Sequence, residues 1–256
     1  MKIKVIQMAD SPHASKYTGC LNINKKYCQK HGYEFHAQQP AWPTPGVGYG
    51  SSGEAYYTPY QKPYVLLENL HTADYVVWVD IDAVFVNHEK KIEDVINLEP
   101  ERDIIYFDDP APKTPLNSGV LIVKSNATGS FILWKWWEAC RAMCTKSRGL
   151  LNWDQGILIE LLTNFIPGHK FEPLPKSLMN QHPLDFKSGE LLVHWMGYWP
   201  ESISQHMQFL SNHIDKTEFV GKFIETLSTL IVKAEHGAPC KTVSLDDVIE
   251  KMKQSN

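Results

Sequence analysis

The sequence predicts an α/β domain with a mostly parallel central sheet flanked by helices. Three observations carry that prediction. The chain opens with a strand-like, helix-like, strand-like succession. Strand and helix patterns then alternate for most of the 256 residues. The segment Tyr75–Val86 holds an apolar run interrupted only by Asp80 and Asp82, as expected of a strand buried on both faces.

The elements follow in order. Ile3–Met8 reads as a buried strand and Ala9–Ser15 as a polar loop after it. Tyr17–Lys30 reads as a helix with Leu21, Ile23, Tyr27 and Cys28 on its apolar face, stopped by a glycine, Gly32, at a position that favours a left-handed backbone. Tyr33–Ala37 is a second strand. Residues 39–58 are rich in Pro, Gly, Ser and Tyr, and Gly46–Tyr57 within them reads as a lid over a ligand. Gln61–His71 is a helix with Lys62 near its start, followed by the strand Tyr75–Asp80. Lys91–Asn97 is a short helix, and Asp103–Phe107 and Gly119–Lys124 are strands. Ala127–Thr145 is a helix carrying Phe131, Trp134, Trp137 and Met143, and Asp154–Leu162 is another. Pro167–Pro175 is extended, and Glu190–Trp195 is a last strand. Beyond Pro200 the pattern is helical and ends in a capping box from Ser244 to Asp247. Residues 1–200 are thus expected to form the core, with 201–256 packed on it in one domain.

Composition narrows the function. The formal net charge is −4, with no Lys/Arg run longer than a pair, which excludes electrostatic nucleic-acid binding. No stretch is apolar for long enough to be a membrane anchor or signal peptide, so a cytoplasmic chain is expected. The five Cys are scattered without metal-type pairs, as in a reducing compartment. Cys140 and Cys144 lie four apart on a helix, where two small core residues are the simpler reading. Asn126-Ala127-Thr128 matches a glycosylation pattern that is silent in the cytoplasm.

The chemistry centres on Asp80-Ile81-Asp82. Buried carboxylates pair, protonate or hold a metal. Two residues separated by one share a face of an extended strand, so both carboxylates can meet one hard cation, Mn²⁺ or Mg²⁺, that also binds phosphate oxygens. A strand-end turn capped by an aspartate would account for the pair without a metal. His194 closes the apolar run Leu191–Val193 and is the candidate third ligand. Asn117-Ser118-Gly119 precedes a strand, and Asp154 stands either as a helix cap or as a carboxylate offered to the site.

In order along the chain, several segments resemble glycosyltransferase family 34, the galactosyl- and xylosyltransferases of GT-A fold. They are Tyr27-Cys28-Gln29-Lys30-His31-Gly32-Tyr33, Gln61-Lys62-Pro63, Val77-Trp78-Val79-Asp80-Ile81-Asp82-Ala83, Leu116-Asn117-Ser118-Gly119-Val120, Trp153-Asp154-Gln155 and Val193-His194-Trp195-Met196-Gly197. The resemblance implies a Rossmann-like sheet and a nucleotide-sugar donor, UDP-linked, whose hexose or pentose passes to a glycan or glycoprotein hydroxyl. It implies that Asp80, Asp82 and His194 bind Mn²⁺ with the diphosphate. Gln7, Met8, Ala9 and Tyr17 would contact the nucleoside and Lys62 would place the donor. Ile81, Asn117, Ser118, Gly119 and Gly197 would line the donor pocket. Asp154 and Gln155 would face the transferred sugar as the catalytic residues. Family members retain anomeric configuration, so Gln155 would stabilise positive charge on the sugar. Under inversion, Asp154 would be the base. The chain departs from the family pattern at Tyr198-Trp199-Pro200, where a basic residue usually follows the late histidine. The absent anchor and short length imply a compact viral or bacterial version. A non-catalytic sugar-binding protein on the same frame is the competing expectation. A haloacid-dehalogenase-like phosphatase ranks lower, because its aspartates follow the first strand.

Overall fold

The computed structural model describes residues 1–9, 11–41, 58–110, 114–143, 153–166, 170–196, 200–230 and 243–254. The Gly46–Tyr57 lid expectation, Gly197, Cys144 and Cys240 lie outside them. A five-stranded sheet has the order β2-β1-β3-β6-β5, with β1 Ile3–Met8, β2 Glu34–Gln38, β3 Tyr75–Val79, β5 Ile104–Phe107 and β6 Asn117–Lys124. β1 runs parallel to β2 and β3, while β6 is antiparallel to both β3 and β5. Four strands therefore share one direction and β6 alone opposes them, so the sheet is mostly parallel, as expected.

The sheet's apolar runs are sorted by pleat. Ile6, Met8, Val76, Trp78, Leu121 and Val123 pack on one face with three helices: α3 Thr58–Leu70, α5 Ala127–Met143 and α6 Trp153–Asn164. Their neighbours Val5, Tyr75, Val77, Val79, Val120 and Ile122 pack on the other face with α2 Thr18–His31 and α4 Ile92–Ile96. This double burial is why the runs do not alternate with polar residues. A third core joins α2 to a small antiparallel sheet of β4 Ala83–Phe85 and β7 Leu192–His194. It also takes in the C-terminal helices α8 Pro200–Ser211, α9 Thr217–Leu230 and α10 Leu245–Gln254. The capping box at α10 is present, with Asp247 N–H donating to Ser244 Oγ at 3.1 Å and Ser244 N–H to Asp247 Oδ2 at 3.2 Å.

Local sequence explains several element ends. Gly32 ends α2 with φ 73°, as its lack of a Cβ permits. Asn126, read above as a possible sequon, accepts the N–H of Gly129 through Oδ1 at 2.8 Å and so caps α5. Asn24, buried on α2, clamps β4 by donating to the Ala83 carbonyl at 2.8 Å and accepting the Phe85 N–H at 2.9 Å.

The structure corrects one expectation and supplies two details. Ser11–Lys16 is a short helix, α1, where a polar loop was expected; Pro12 near its start pre-sets a helical φ. Lys176–Met179 adds a turn of helix, α7, inside a stretch that carries no periodic signal. On α5 the inward residues are Ile132, Leu133, Trp136 and Cys140, whereas Phe131 and Trp134 are 41% and 43% exposed. That helix is apolar nearly all round, so two faces fit the same period. Lys135 lies 4.4 Å from the Trp134 ring centroid and shields part of that exposed surface.

One buried histidine gives a prediction from the fold alone. Burial pushes His88 down from 6.5 to about 4, against the opposing hydrogen bond to the Phe85 carbonyl at 3.1 Å. The unfolded chain takes up a proton below 6.5 and the folded chain does so only near 4. Stability therefore falls as pH drops through this window, by roughly 3 kcal/mol in all. Denaturant titrations at pH 7 and pH 4.5 are expected to show this loss, and His88→Gln to shrink it. An identical pH dependence in both proteins would contradict the assignment.

Candidate active site

The polar residues gather where β3, β6, α3, α6 and β7 meet. β3 ends at Val79, and Asp80 opens a turn closed by the Ala83 N–H donating to the Asp80 carbonyl at 2.9 Å. The two aspartates therefore converge by a turn and not by the alternation of an extended strand. β7 then pairs with β4 so that His194 lies opposite Ala83, and the Trp195 N–H donates to the Asp82 carbonyl at 3.0 Å. This register brings the late histidine to the aspartates.

One oxygen or nitrogen from each of Asp80, Asp82 and His194 lies within 4.8 Å of the others. His194 Nε2 is 3.3 Å from Asp82 Oδ1 and 4.0 Å from Asp80 Oδ2. The Asp80 and Asp82 side chains keep 32% and 22% exposure, against 2% for His194, so the group is open on its carboxylate side. Asp80 Oδ1 is engaged by Trp78 Nε1–H at 2.6 Å and Lys62 Nζ at 3.2 Å. Its Oδ2 is left to face the histidine. Two carboxylates and an imidazole, open on the carboxylate side, would suit a divalent cation with further oxygen ligands.

A buried ionic cluster lies beside this group. Lys62 Nζ is 3.1 Å from Asp154 Oδ2, and it donates to the Ser118 carbonyl at 2.9 Å and to Ser118 Oγ at 3.2 Å. Ser118 Oγ–H donates to Asp154 Oδ2 at 2.9 Å. Lys62 is thus no solvated surface lysine. Burial pulls its ammonium down, but Asp154 and Asp80 outweigh that and hold it above the ordinary range. Asp154 is raised, because burial outweighs the attraction of Lys62. Asp80 and Asp154 both contact the Lys62 ammonium while Asp82 lies beside His194, a concentration of three carboxylates that suits a divalent cation.

Gln155 is held from three sides. Its Oε1 accepts from Asn117 Nδ2 and from the Ser118 N–H, both at 3.0 Å, and its Nε2 donates to Thr114 Oγ1 at 2.6 Å. Trp153, just before it, has φ 58°, a strained conformation for a bulky residue that costs on the order of 1–3 kcal/mol. That strained residue sets the first turn of α6, from which Asp154 and Gln155 project.

The remaining predicted residues spread outward. Gln7 is buried and donates through Nε2 to the Asp80 carbonyl at 3.0 Å. Met8 and Ala9 are buried at the end of β1, and Tyr17 lies in the third core. Ile81 packs against that same core. Asn117, Ser118 and Gly119 belong to β6 rather than to a turn before it. Sequence reasoning missed Asn180, whose Oδ1 faces His194 Nδ1 at 2.9 Å, and Thr114. A lone asparagine between short elements carries no sequence signal for such a contact.

In the cation-free chain, burial pulls the His194 imidazole down and the Asp82 carboxylate pushes it up, with a net rise. A cation needs the neutral ring. Apparent Mn²⁺ affinity is therefore expected to be full above that raised range and to fall by about tenfold per pH unit below it. A calorimetric pH series checks this, and a flat profile from pH 5 to 8 would contradict it.

Comparison with known proteins bears on this arrangement. Residues 5–105 match the model of the galactosyl transferase GMA12/MNN10 family. No curated protein matches the chain. Among solved structures, the chain is similar to a glycosyltransferase involved in the glycosylation of the major capsid of PBCV-1. The TM-score is 0.57 at 16% identity, covering 82% of this chain and 100% of that one. The apo-form glycosyltransferase GlyE of Streptococcus pneumoniae TIGR4 superposes less closely, with TM-score 0.49 at 12% identity over 86% of this chain and 63% of that one. The same holds for the galactosyltransferase LgtC, with TM-score 0.49 at 12% identity over 82% of this chain and 95% of that one. No described helix is long and apolar enough to cross a membrane. The chain thus has the GT-A glycosyltransferase fold and resembles the galactosyl transferase GMA12/MNN10 family over residues 5–105, and together these support a transferase enzyme.

Proposed function

We propose that the protein transfers a hexose or pentose from a UDP-sugar to a hydroxyl of a glycan or glycoprotein, with retention of configuration and dependence on Mn²⁺ or Mg²⁺. The observation that carries this reading is the convergence of Asp80, Asp82 and His194 beside the Lys62–Asp154–Ser118 cluster. A cation held there would neutralise charge developing on the departing diphosphate.

The chain's own groups have distinct tasks. Lys62 and Trp78 fix one oxygen of Asp80 and so aim the other. Asp154 balances the buried ammonium of Lys62 and is itself only 4% exposed. An aspartate so enclosed suits the work of a counter-ion, so the inverting alternative with Asp154 as base gains no support. Gln155 keeps its amide oxygen on the Asn117 and Ser118 donors and forms the wall that the transferred sugar would meet. Gln7, Met8, Ala9 and Tyr17 underlie the proposed nucleoside end, and Ile81, Asn117, Ser118, Gly119 and Gly197 are proposed to flank the donor. Residues 1–200 would hold this site, with 201–256 supporting β4 and β7 from behind.

A panel of nucleotide sugars with Mn²⁺, read as donor hydrolysis, tests the proposal. One UDP-sugar is expected to turn over. Asp80→Ala and Asp82→Ala are each expected to lower turnover by about 10³-fold or more, as for removal of a main electrostatic stabiliser. Full activity in EDTA would refute the metal-dependent reading. Donor binding without hydrolysis would favour the sugar-binding alternative.

A further inference from the structure

We infer that Asn180 is a positioning residue that sets the tautomer and orientation of His194, at the head of a one-way hydrogen-bond relay reaching Gln155. This rests on the reading of Asp80, Asp82 and His194 as a cation site.

The relay runs through five consecutive donations. His194 Nδ1 meets Asn180 Oδ1 at 2.9 Å, and Asn180 Nδ2 meets Asn117 Oδ1 at 3.3 Å. Asn117 Nδ2 meets Gln155 Oε1 at 3.0 Å, Gln155 Nε2 meets Thr114 Oγ1 at 2.6 Å, and Thr114 Oγ1 meets Asp109 Oδ2 at 2.6 Å.

The direction is forced by groups that can play only one part. The backbone N–H of Gly119 donates to Asn117 Oδ1 at 2.8 Å, which fixes which end of that amide is oxygen. The Ser118 N–H does the same for Gln155 Oε1 at 3.0 Å. The backbone carbonyl of Asp108, 3.5 Å from Asn180 Nδ2, marks the nitrogen end of Asn180. Orientation of amides is normally an assignment from their networks; here each amide has a backbone witness. Asn180 must then present oxygen to His194, so Nδ1 carries the proton and the Nε2 lone pair faces the aspartates. A histidine ligand whose other nitrogen donates to a fixed acceptor is held in the ligating tautomer. Asn180 is fully buried, so no water competes for that role.

The test uses the full chain with ¹⁵N-histidine and Mn²⁺ or, for magnetic resonance, Mg²⁺ as probe. In the cation-free wild type at alkaline pH, His194 is expected to hold its proton on Nδ1. In Asn180→Leu the proton is expected to move to Nε2, where Asp82 accepts it, and cation affinity to fall by about 10- to 100-fold. Asn180→Asp, which keeps an acceptor at the same place, is expected to retain the Nδ1 proton and near wild-type affinity. The inference is overturned if Asn180→Leu keeps the Nδ1 proton or full affinity, or if Asn180→Asp behaves like a loss of the acceptor. Because the tautomer is read without cation, a wild type that binds no cation but holds Nδ1–H would refute the metal reading and leave the positioning role standing.

Discussion

Replacing Gly119 by alanine is expected to weaken divalent-cation binding by about 100-fold or more while leaving most of the fold intact. A Cβ at this position would lie 2.1 Å from His194 Cε1, 2.8 Å from His194 Nδ1 and 2.8 Å from Asn117 Oδ1. Contacts under 3.0 Å are essentially never seen for real Cβ atoms, so something must move. β6 is paired on both sides, to β3 and β5, so its backbone resists shifting. The His194 ring is the group left to yield, and it is wedged between Asn180 and Asp82. Turning it away removes a ligand outright, which should cost more than the 10- to 100-fold typical of losing an outer partner, so about 100-fold or more is expected. The overpacking itself should cost about 1–3 kcal/mol of stability. Calorimetric Mn²⁺ titration and thermal unfolding separate the two effects. Wild-type Mn²⁺ affinity in Gly119→Ala would show that His194 is not the ligand proposed.

Lys62→Met is expected to destabilise the protein by about 3–5 kcal/mol, the usual consequence of leaving a buried carboxylate without its partner. Met matches the stem of Lys62 and removes only the ammonium. Asp154 is then left 4% exposed with a single remaining hydroxyl donor to its Oδ2, from Ser118. Its carboxyl is already raised by burial with Lys62 in place, so loss of the cation drives it to protonate. Thermal unfolding should drop by roughly 6–20 °C for a domain of this size. Adding Asp154→Asn to Lys62→Met should recover part of the loss, because the unpaired charge is gone. A double variant less stable than the single one would contradict the pairing and show that Asp154 is held chiefly by other groups.

The features legible in the sequence were those with local causes. The Ile3–Met8 strand, the Gly32 stop and the Ser244–Asp247 cap depend on neighbours within a few residues, and each formed as expected. Asp80, Asp82 and His194 were legible because polar groups ending apolar runs are costly unless used. Their means of meeting was not, since it depends on a turn and on the β4–β7 register. Nothing local in the sequence marks the burial of Lys62, which follows only once α3 packs beside Ser118 and Asp154. Asn180 and Thr114 escaped notice for the same reason. Each matters through a partner distant in sequence, and amide residues have no periodic signature. On α5, Trp134 and Trp136 are equally apolar in the sequence, and only the packed neighbours decide that Trp136 is the buried one.

The β3–β7 junction is proposed to be a cation-dependent site for a nucleoside diphosphate. Calorimetric titration of UDP into the protein, once with Mn²⁺ and once with EDTA, tests it most directly. Saturable UDP binding is expected with Mn²⁺, with at least about tenfold weaker binding in EDTA and the same weakness in Asp82→Ala even with Mn²⁺. Equal UDP affinity in Mn²⁺ and EDTA would contradict it.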